Sequence, residues 1–307
     1  MQEVECGILS GSACVQGRTR LEATPSHWQG SLVLVYARRH NRTRPIQQRM
    51  QAPLKVQRPF YPEGNEVCHS VIVHTAGGMV GGDCLDLDLR VEPQARALIT
   101  TAAASKVYGS RGRSQVCPEG RPARQTIQVT VGPDACLEWL PQETIVFNRA
   151  IYHQQLRVDL AENAVWCGWE IMRLGRSARG EQFLVGELRS RTEIWQHNRP
   201  LWIDPQHLPA SPATLNSPHA LANQPIIGSF LWIGQAIPAP LIQQARDLWH
   251  QTEHRGQAGT TQLISGIVCR YRGPSTTEVR HWFAEVWQLL RHSLSNRPAC
   301  PPRVWQR

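Results

Sequence analysis

Between Leu32 and about Leu201 the chain keeps a two-residue hydrophobic rhythm. In CLDLDLRVE, Leu85, Leu87, Leu89 and Val91 alternate with Asp86, Asp88, Arg90 and Glu92, which makes one face of an extended strand apolar and the other charged. The rhythm recurs in TIQVTV (Ile127, Val129, Val131), in QLRVDL (Leu156, Val158, Leu160) and, less cleanly, in FLVGELRSRTEIW from Phe183 to Trp195. Gly and Pro punctuate these runs, as at EPQA (92–95) and GPD (132–134), with the spacing of a sandwich, a barrel or a β-solenoid. No internal sequence repeat chooses among the three.

Helical spacing takes over near the C-terminus. In PAPLIQQARDLWHQTEH, Leu241, Ile242, Ala245, Leu248, Trp249 and Thr252 form one stripe, with Pro240 suited to the first turn. A second helix is signposted by Ser275 and Glu278, an S-x-x-E capping box after Pro274, and by a buried stripe of Val279, Trp282, Phe283, Val286, Leu289 and Leu290. The segment Asp204 to Pro225 holds five prolines and reads as a loop with one short helical turn. The first 26 residues and the tail after about Ser293, including NRPACPPRVWQR, read as loosely ordered. No composition shift marks a boundary, so residues 1–307 are expected to form a single, mainly β domain with about two helices added late.

Composition narrows the class. No run of about 18 apolar residues could span a membrane, and the N-terminus carries glutamates where a signal peptide needs cations, so a cytoplasmic location is expected. The nine cysteines are odd in number, scattered and never spaced CxxC, which suits neither a disulfide framework nor a zinc ribbon. The net charge of +9 comes almost wholly from arginine: of 33 cationic residues only Lys55 and Lys106 are lysines, leaving 31 arginines. Arginine favours bidentate carboxylate contacts and protein interfaces, so acidic protein partners fit this surface as well as nucleic acid does. The densest run, RRHNRTR at Arg38 to Arg44, follows the apolar LVLVY and reads as a solvated turn after a strand rather than a nucleic-acid patch.

Two stretches imitate known sites. In HTAGGMVGGD (74–83), Gly77 and Gly82 have the spacing of a P-loop, but Asp83 and Cys84 occupy the positions of its Lys and Ser/Thr, and an alternating strand follows where a helix N-terminus is needed. The stretch, with Gly77, Gly78, Gly81 and Gly82, reads as a tight turn between strands, in which Asp83, with His74 and Cys84 nearby, could meet a divalent cation. HQTEH (250–254) matches the H-x-x-E-H pattern of inverted zinc peptidases, yet on a helical wheel His250 and His254 lie opposite the buried stripe, as solvated histidines. No G-x-S-x-G nucleophile elbow occurs.

Taken together, PLKVQRPFYPEG (53–64), HTAGGMVGGD, ALITTAAASKVY (97–108), LEWLPQETIVFNRA (137–150), GWEIMRLGRSARGEQF (168–183) and RYRGPSTTEVRHWFAEVWQLLR (270–291) resemble, in order and spacing, the urease accessory proteins called UreD, or UreH in some organisms. The resemblance implies a non-enzymatic maturation factor with a helix-like arrangement of strands. It also implies that the chain acts on apo-urease together with a helical accessory protein of UreF type and a nickel-carrying GTPase of UreG type. Nickel would be in transit, with no cofactor held permanently and no fixed metal site. Asp83, Glu143 and Glu170 match acidic positions of the family motifs and become candidates to line a nickel path, with Thr100 and Thr101 adding hydroxyls. The alternative for each is a hydrogen bond or arginine pair that pins a turn. Outside the resemblance, two rival classes remain: a metal-dependent hydrolase using HQTEH or the His74 and Asp83 region, and a basic nucleic-acid-binding protein using Arg38 to Arg44.

Overall fold

The structure is a computed structural model that describes residues 28–176, 179–251 and 253–305. The N-terminal segment expected to be loose, and Thr252 of the helical stripe, lie outside the described residues. Three strands come first: β1 (Gln29–Arg39), β2 (Arg42–Gln51) and β3 (Leu54–Val56). The central run comprises β4 (Val67–His74), β5 (Cys84–Val91), β6 (Arg96–Thr101), β7 (Ser105–Val107), β8 (Ala123–Val131), β9 (Cys136–Trp139), β10 (Thr144–Val146), β11 (Ile151–Leu160), β12 (Val165–Leu174), β13 (Glu187–Gln196) and β14 (Arg199–Pro209). Helix α1 (Pro212–Asn216), β15 (Ile226–Ile233), α2 (Ala239–His250), β16 (Gln257–Leu263), β17 (Gly266–Gly273) and α3 (Thr276–Ser295) follow.

The protein is mainly β, and its central strands cross back and forth between two sheets. In the first sheet, β1, β5, β8, β11 and β13 lie side by side in parallel, with β2 and β14 antiparallel at the edges. In the second, β4, β6, β9 and β12 are parallel, and β15, β17 and β16 extend the sheet antiparallel. Hydrophobic alternation sets the register. Leu34, Leu89, Val129, Val158 and Ile194 are cross-strand partners on five neighbouring strands, and all five are fully buried between the sheets.

Helices α2 and α3 cover the far side of the second sheet, where Trp169, Phe230, Trp282, Phe283 and Trp287 form a separate core. Half of the capping box forms: the Ser275 hydroxyl accepts from the Glu278 N–H at 3.2 Å. The Glu278 carboxylate does not reach back to its own cap but accepts from the backbone N–H groups of Arg255 and Gly256, each at 3.0 Å, tying the start of α3 to the approach to β16. Deeper along α3, Arg291 is buried between Glu63 and Glu138, and Glu138 also accepts from the Trp287 indole at 2.7 Å. Burial pushes the Glu138 carboxyl above its usual pKa, against the pull of the Arg291 charge.

Three sequence expectations change. The strand β14 runs on to Pro209 where a loop is expected, because an edge strand tolerates prolines whose missing N–H faces away from its partner; the expected helical turn follows as α1, capped by Ser211. The C-terminal tail is not loose: Pro302 is buried, residues 303–305 form a 3-10 turn, and the Trp305 ring packs 5.0 Å from that of Trp169. Helix α2 stops at His250, so His254 is not on it; the His254 imidazole stacks on Trp249 at 3.8 Å instead of being solvated. The arginine-rich run Arg38 to Arg44 is the β1–β2 hairpin, turning through His40 and Asn41 at φ 50° and 59°.

The glycine stretch is the connection 75–83 that crosses from β4 in the second sheet to β5 in the first, with Met79 bridged to Val107 on the way and Gly78 and Gly82 at φ 149° and 100°. A Cβ on Gly81 would lie 2.5 Å from the Arg121 carbonyl oxygen and 2.5 Å from Ser110 Cβ, whereas one on Gly77 would meet only the Tyr108 hydroxyl at 3.7 Å. Gly81→Ala is therefore expected to destabilise the fold by roughly 1–3 kcal/mol, and Gly77→Ala by much less. Urea unfolding midpoints of the two variants check this.

Candidate functional site: an interior polar cavity

The alternation that buries the Leu34 to Ile194 row buries polar groups two rows away. Gln125, Gln154 and Ser190 are register partners on β8, β11 and β13, on the same strand face as Ile127, Leu156 and Ile194. Thr192 and Asp204 pair on the intervening row. Facing them from the second sheet are Glu170 on β12, its partner Ser229 on β15, and that residue's partner Arg270 on β17. Gln125, Gln154, Thr192, Asp204, Glu170 and Ser229 line a cavity of about 50 Å³ together with Thr101, Gln142, Thr144, Trp166 and Trp169, while Ser190 and Arg270 bond to its carboxylates from behind. That is room for a few water molecules.

Hydrogen bonds order the cavity. The single proton of the Tyr152 hydroxyl is shared between Gln125 Oε1 at 2.6 Å and Gln154 Oε1 at 2.8 Å, and the Gln154 amide N–H donates to Glu170. Glu170 also accepts from the Ser190 hydroxyl at 3.1 Å. Arg270 neutralises Asp204 at 2.7 Å and donates to Ser229 at 2.6 Å. Glu170 lacks an arginine of its own, and burial, reinforced by the Asp204 charge, pushes its pKa up to about 7. The buried indole N–H of Trp166 finds no protein acceptor.

The five candidates from sequence fall into four places. Glu170 and Thr101 line the cavity. Glu143 sits beside it, in the loop between Gln142 and Thr144, where its carboxylate accepts from Arg280 of α3. Thr100 points to the opposite face of β6, donating to the Leu140 carbonyl at 2.6 Å and accepting from the Trp305 indole at 3.2 Å. Asp83 does not reach the cavity: it is 4% exposed, and its two oxygens accept from the N–H groups of Trp28 at 3.0 Å and Val80 at 2.8 Å. Burial lowers the pKa of nearby His74, and the Asp83 charge opposes that shift.

Gln125, Gln154, Ser190, Thr192, Asp204, Ser229 and Arg270 escape the sequence reading. Their signal was available in part, since in ARQTIQVTV and YHQQLRVDL a glutamine occupies the apolar phase of the alternation. Among the described residues no group of three or more His, Cys, Asp and Glu is placed to hold a metal ion. A cation in this cavity would meet one ionisable carboxylate free of arginine, then amide and hydroxyl oxygens, which bind weakly and exchange readily. HQTEH does not assemble on one helix, and among the described residues no helix is long and apolar enough to cross a membrane.

Comparison with known proteins places this mainly β scaffold in a family. Residues 29–306 match the model of the family described as UreD urease accessory protein. The chain is 60% identical over 279 residues to a urease accessory protein UreD of Nostoc punctiforme, covering 91% of this chain and 96% of that one. It is 53% identical over 278 residues to the counterpart in Acaryochloris marina (91% and 95%) and 40% identical over 264 residues to that of a Synechocystis species (86% and 95%). The chain belongs to the UreD family of urease accessory proteins.

Two outcomes follow from the geometry. Because the folded pKa of Glu170 lies above its ordinary value of 4.5, the folded protein binds the extra proton between about pH 4.5 and 7. The stability contributed by neutral Glu170 is present at the acid end of that window and lost as pH rises through 7. Glu170→Gln should flatten the fall of unfolding free energy across the window, measured by urea denaturation at several pH values. Asp83→Ala strands two N–H groups and should cost about 2–4 kcal/mol; an unchanged unfolding midpoint would remove its pinning role.

Proposed function

We propose that this protein is a non-catalytic scaffold of urease maturation that guides nickel through the polar cavity between its sheets, in a complex with apo-urease, a helical UreF-type protein and a UreG-type GTPase. The observation that carries the reading is Glu170: a carboxylate buried in the polar cavity, with Arg270 committed to Asp204 rather than to it, supported by Gln154 and Ser190 and with burial raising its pKa to about 7. A cation can replace its proton at little cost, and the neutral oxygens around it cannot trap the ion. GTP belongs to the partner in this scheme; the glycine turn at 74–83 leads into a strand and offers no phosphate cradle. Nickel is cargo, and no cofactor is retained. An arginine-rich surface suits a cytoplasmic protein that must hold several protein faces.

Co-purification from cells that express urease tests the reading. Glu170→Gln should lower the nickel content of urease while the accessory proteins and urease still co-purify with the chain. Full nickel loading in that variant would overturn the path, and loss of co-purification would assign Glu170 to the scaffold instead. Asp83→Ala should reduce the amount of folded protein and of nickel-loaded urease together, in contrast to Glu170→Gln.

A further inference from the structure

The second sheet has a break where it walls the cavity. β12 pairs with β9 over Val165–Gly168 and with β10 over Met172–Leu174, so residues 169–171 have no strand beside them on that edge. The chain between β9 and β10 crosses this break, and Pro141, Gln142, Trp169 and Ile171 line the cavity there. On the outer side of the break lie Val304 and Trp305. Trp305 packs 5.0 Å from the Trp169 ring and edge-on to Trp287 at 5.8 Å, and its indole donates to Thr100. Gln142, a cavity residue, donates to the Val304 carbonyl at 3.5 Å.

This cover is held differently from the helix beside it. α3 is anchored through Arg291 to two buried carboxylates, and Arg291 also donates to the Pro298 carbonyl at 3.1 Å, which fixes the start of the tail. Beyond that point residues 301–305 join no strand. They rest on the burial of Pro302, the turn closed by the Trp305 N–H on the Pro302 carbonyl at 2.9 Å, ring contacts, the Thr100 bond and the long Gln142 bond. A second cavity of about 510 Å³ opens between Pro301, Pro302, Val304 and the residues Phe60, Tyr61 and Leu98. This space borders the strap on one side and leaves room into which it can move.

We propose that residues 298–305 form a displaceable strap over the break in the second sheet, and that its release, pivoting near Pro298, opens the interior cavity at that face. Trp305 is the residue that holds it shut. The proposal takes the cavity as the functional site, but its test uses neither nickel nor urease, so a failed strap leaves the nickel path to stand or fall on its own experiment.

Thr192, a cavity-lining residue on the far sheet, serves as the reporter in the variant Thr192→Cys. The full-length protein is treated with methyl methanethiosulfonate, which adds only a methylthio group, and modification is followed peptide by peptide. Cys68, buried between the sheets, reports global opening in the same sample. Adding Trp305→Ala removes the ring contacts and the Thr100 bond and should accelerate labelling at position 192 by roughly ten- to a hundredfold, with the Cys68 rate unchanged. Trp305→Phe, which keeps a ring, should fall between. A chain ending at Pro302 should behave like Trp305→Ala. Labelling at position 192 no faster in Trp305→Ala and in the shortened chain than in the Thr192→Cys protein with its tail intact would overturn the strap, and so would parallel acceleration of Cys68, which would make the tail a buttress of the whole fold.

Discussion

Five parallel strands of the first sheet must keep one phase of in–out alternation, because a slip of one residue in any of them would turn its leucines and valines to water and its charges to the core. The row from Leu34 to Ile194 satisfies this with aliphatic groups on all five strands. The same phase dictates what happens two rows away, where the side chains are Gln125, Gln154 and Ser190. Register therefore places polar groups in the interior as firmly as it places apolar ones. The cost of burying them is offset by the chain of bonds from Tyr152 through Gln154 to Glu170.

The second sheet solves a different problem, since its far face carries tryptophans and phenylalanines that need a cover. Helix α3 supplies it, and the Arg291 cluster fixes the helix at one position along the sheet: Glu63 comes from the loop before β4, Glu138 from β9 and the arginine from the helix. A buried cluster of this kind contributes little net stability relative to apolar packing, but it tolerates few alternative placements. The position of α3 in turn sets where the tail begins, because Arg291 also holds Pro298.

Much of this was legible in the chain. Strand phases from CLDLDLRVE, TIQVTV and QLRVDL, the stripe and cap of α3, and the hairpin at Arg38 to Arg44 all follow local rules that the folded protein obeys. Glu170 and Thr101 stand out only through the family resemblance, since nothing in the periodicity singles them out. The remaining cavity residues went unseen because a glutamine in a strand carries no mark of whether its face is covered; that depends on which strand lies opposite, across a sheet 16 residues away for Gln154 and Glu170. The order of the tail is hidden from its sequence for a related reason. Its prolines and lack of periodicity describe a segment without secondary structure of its own, but order came from Trp169, Thr100 and Gln142, none of them neighbours in sequence.

The prolines of β14 have a further consequence. An open sheet ends in a strand whose outer N–H and C=O groups can recruit another chain, and a protein that works among several partners is exposed to that hazard at each encounter. With Pro200, Pro205 and Pro209 in its last strand the first sheet presents a broken ladder there, while α2 packs against β16, the last antiparallel strand of the second. The same residues that disguise β14 as a loop thus act as insulation. They keep contacts at this border to side chains and shape, which discriminate between partners, and away from backbone pairing, which does not.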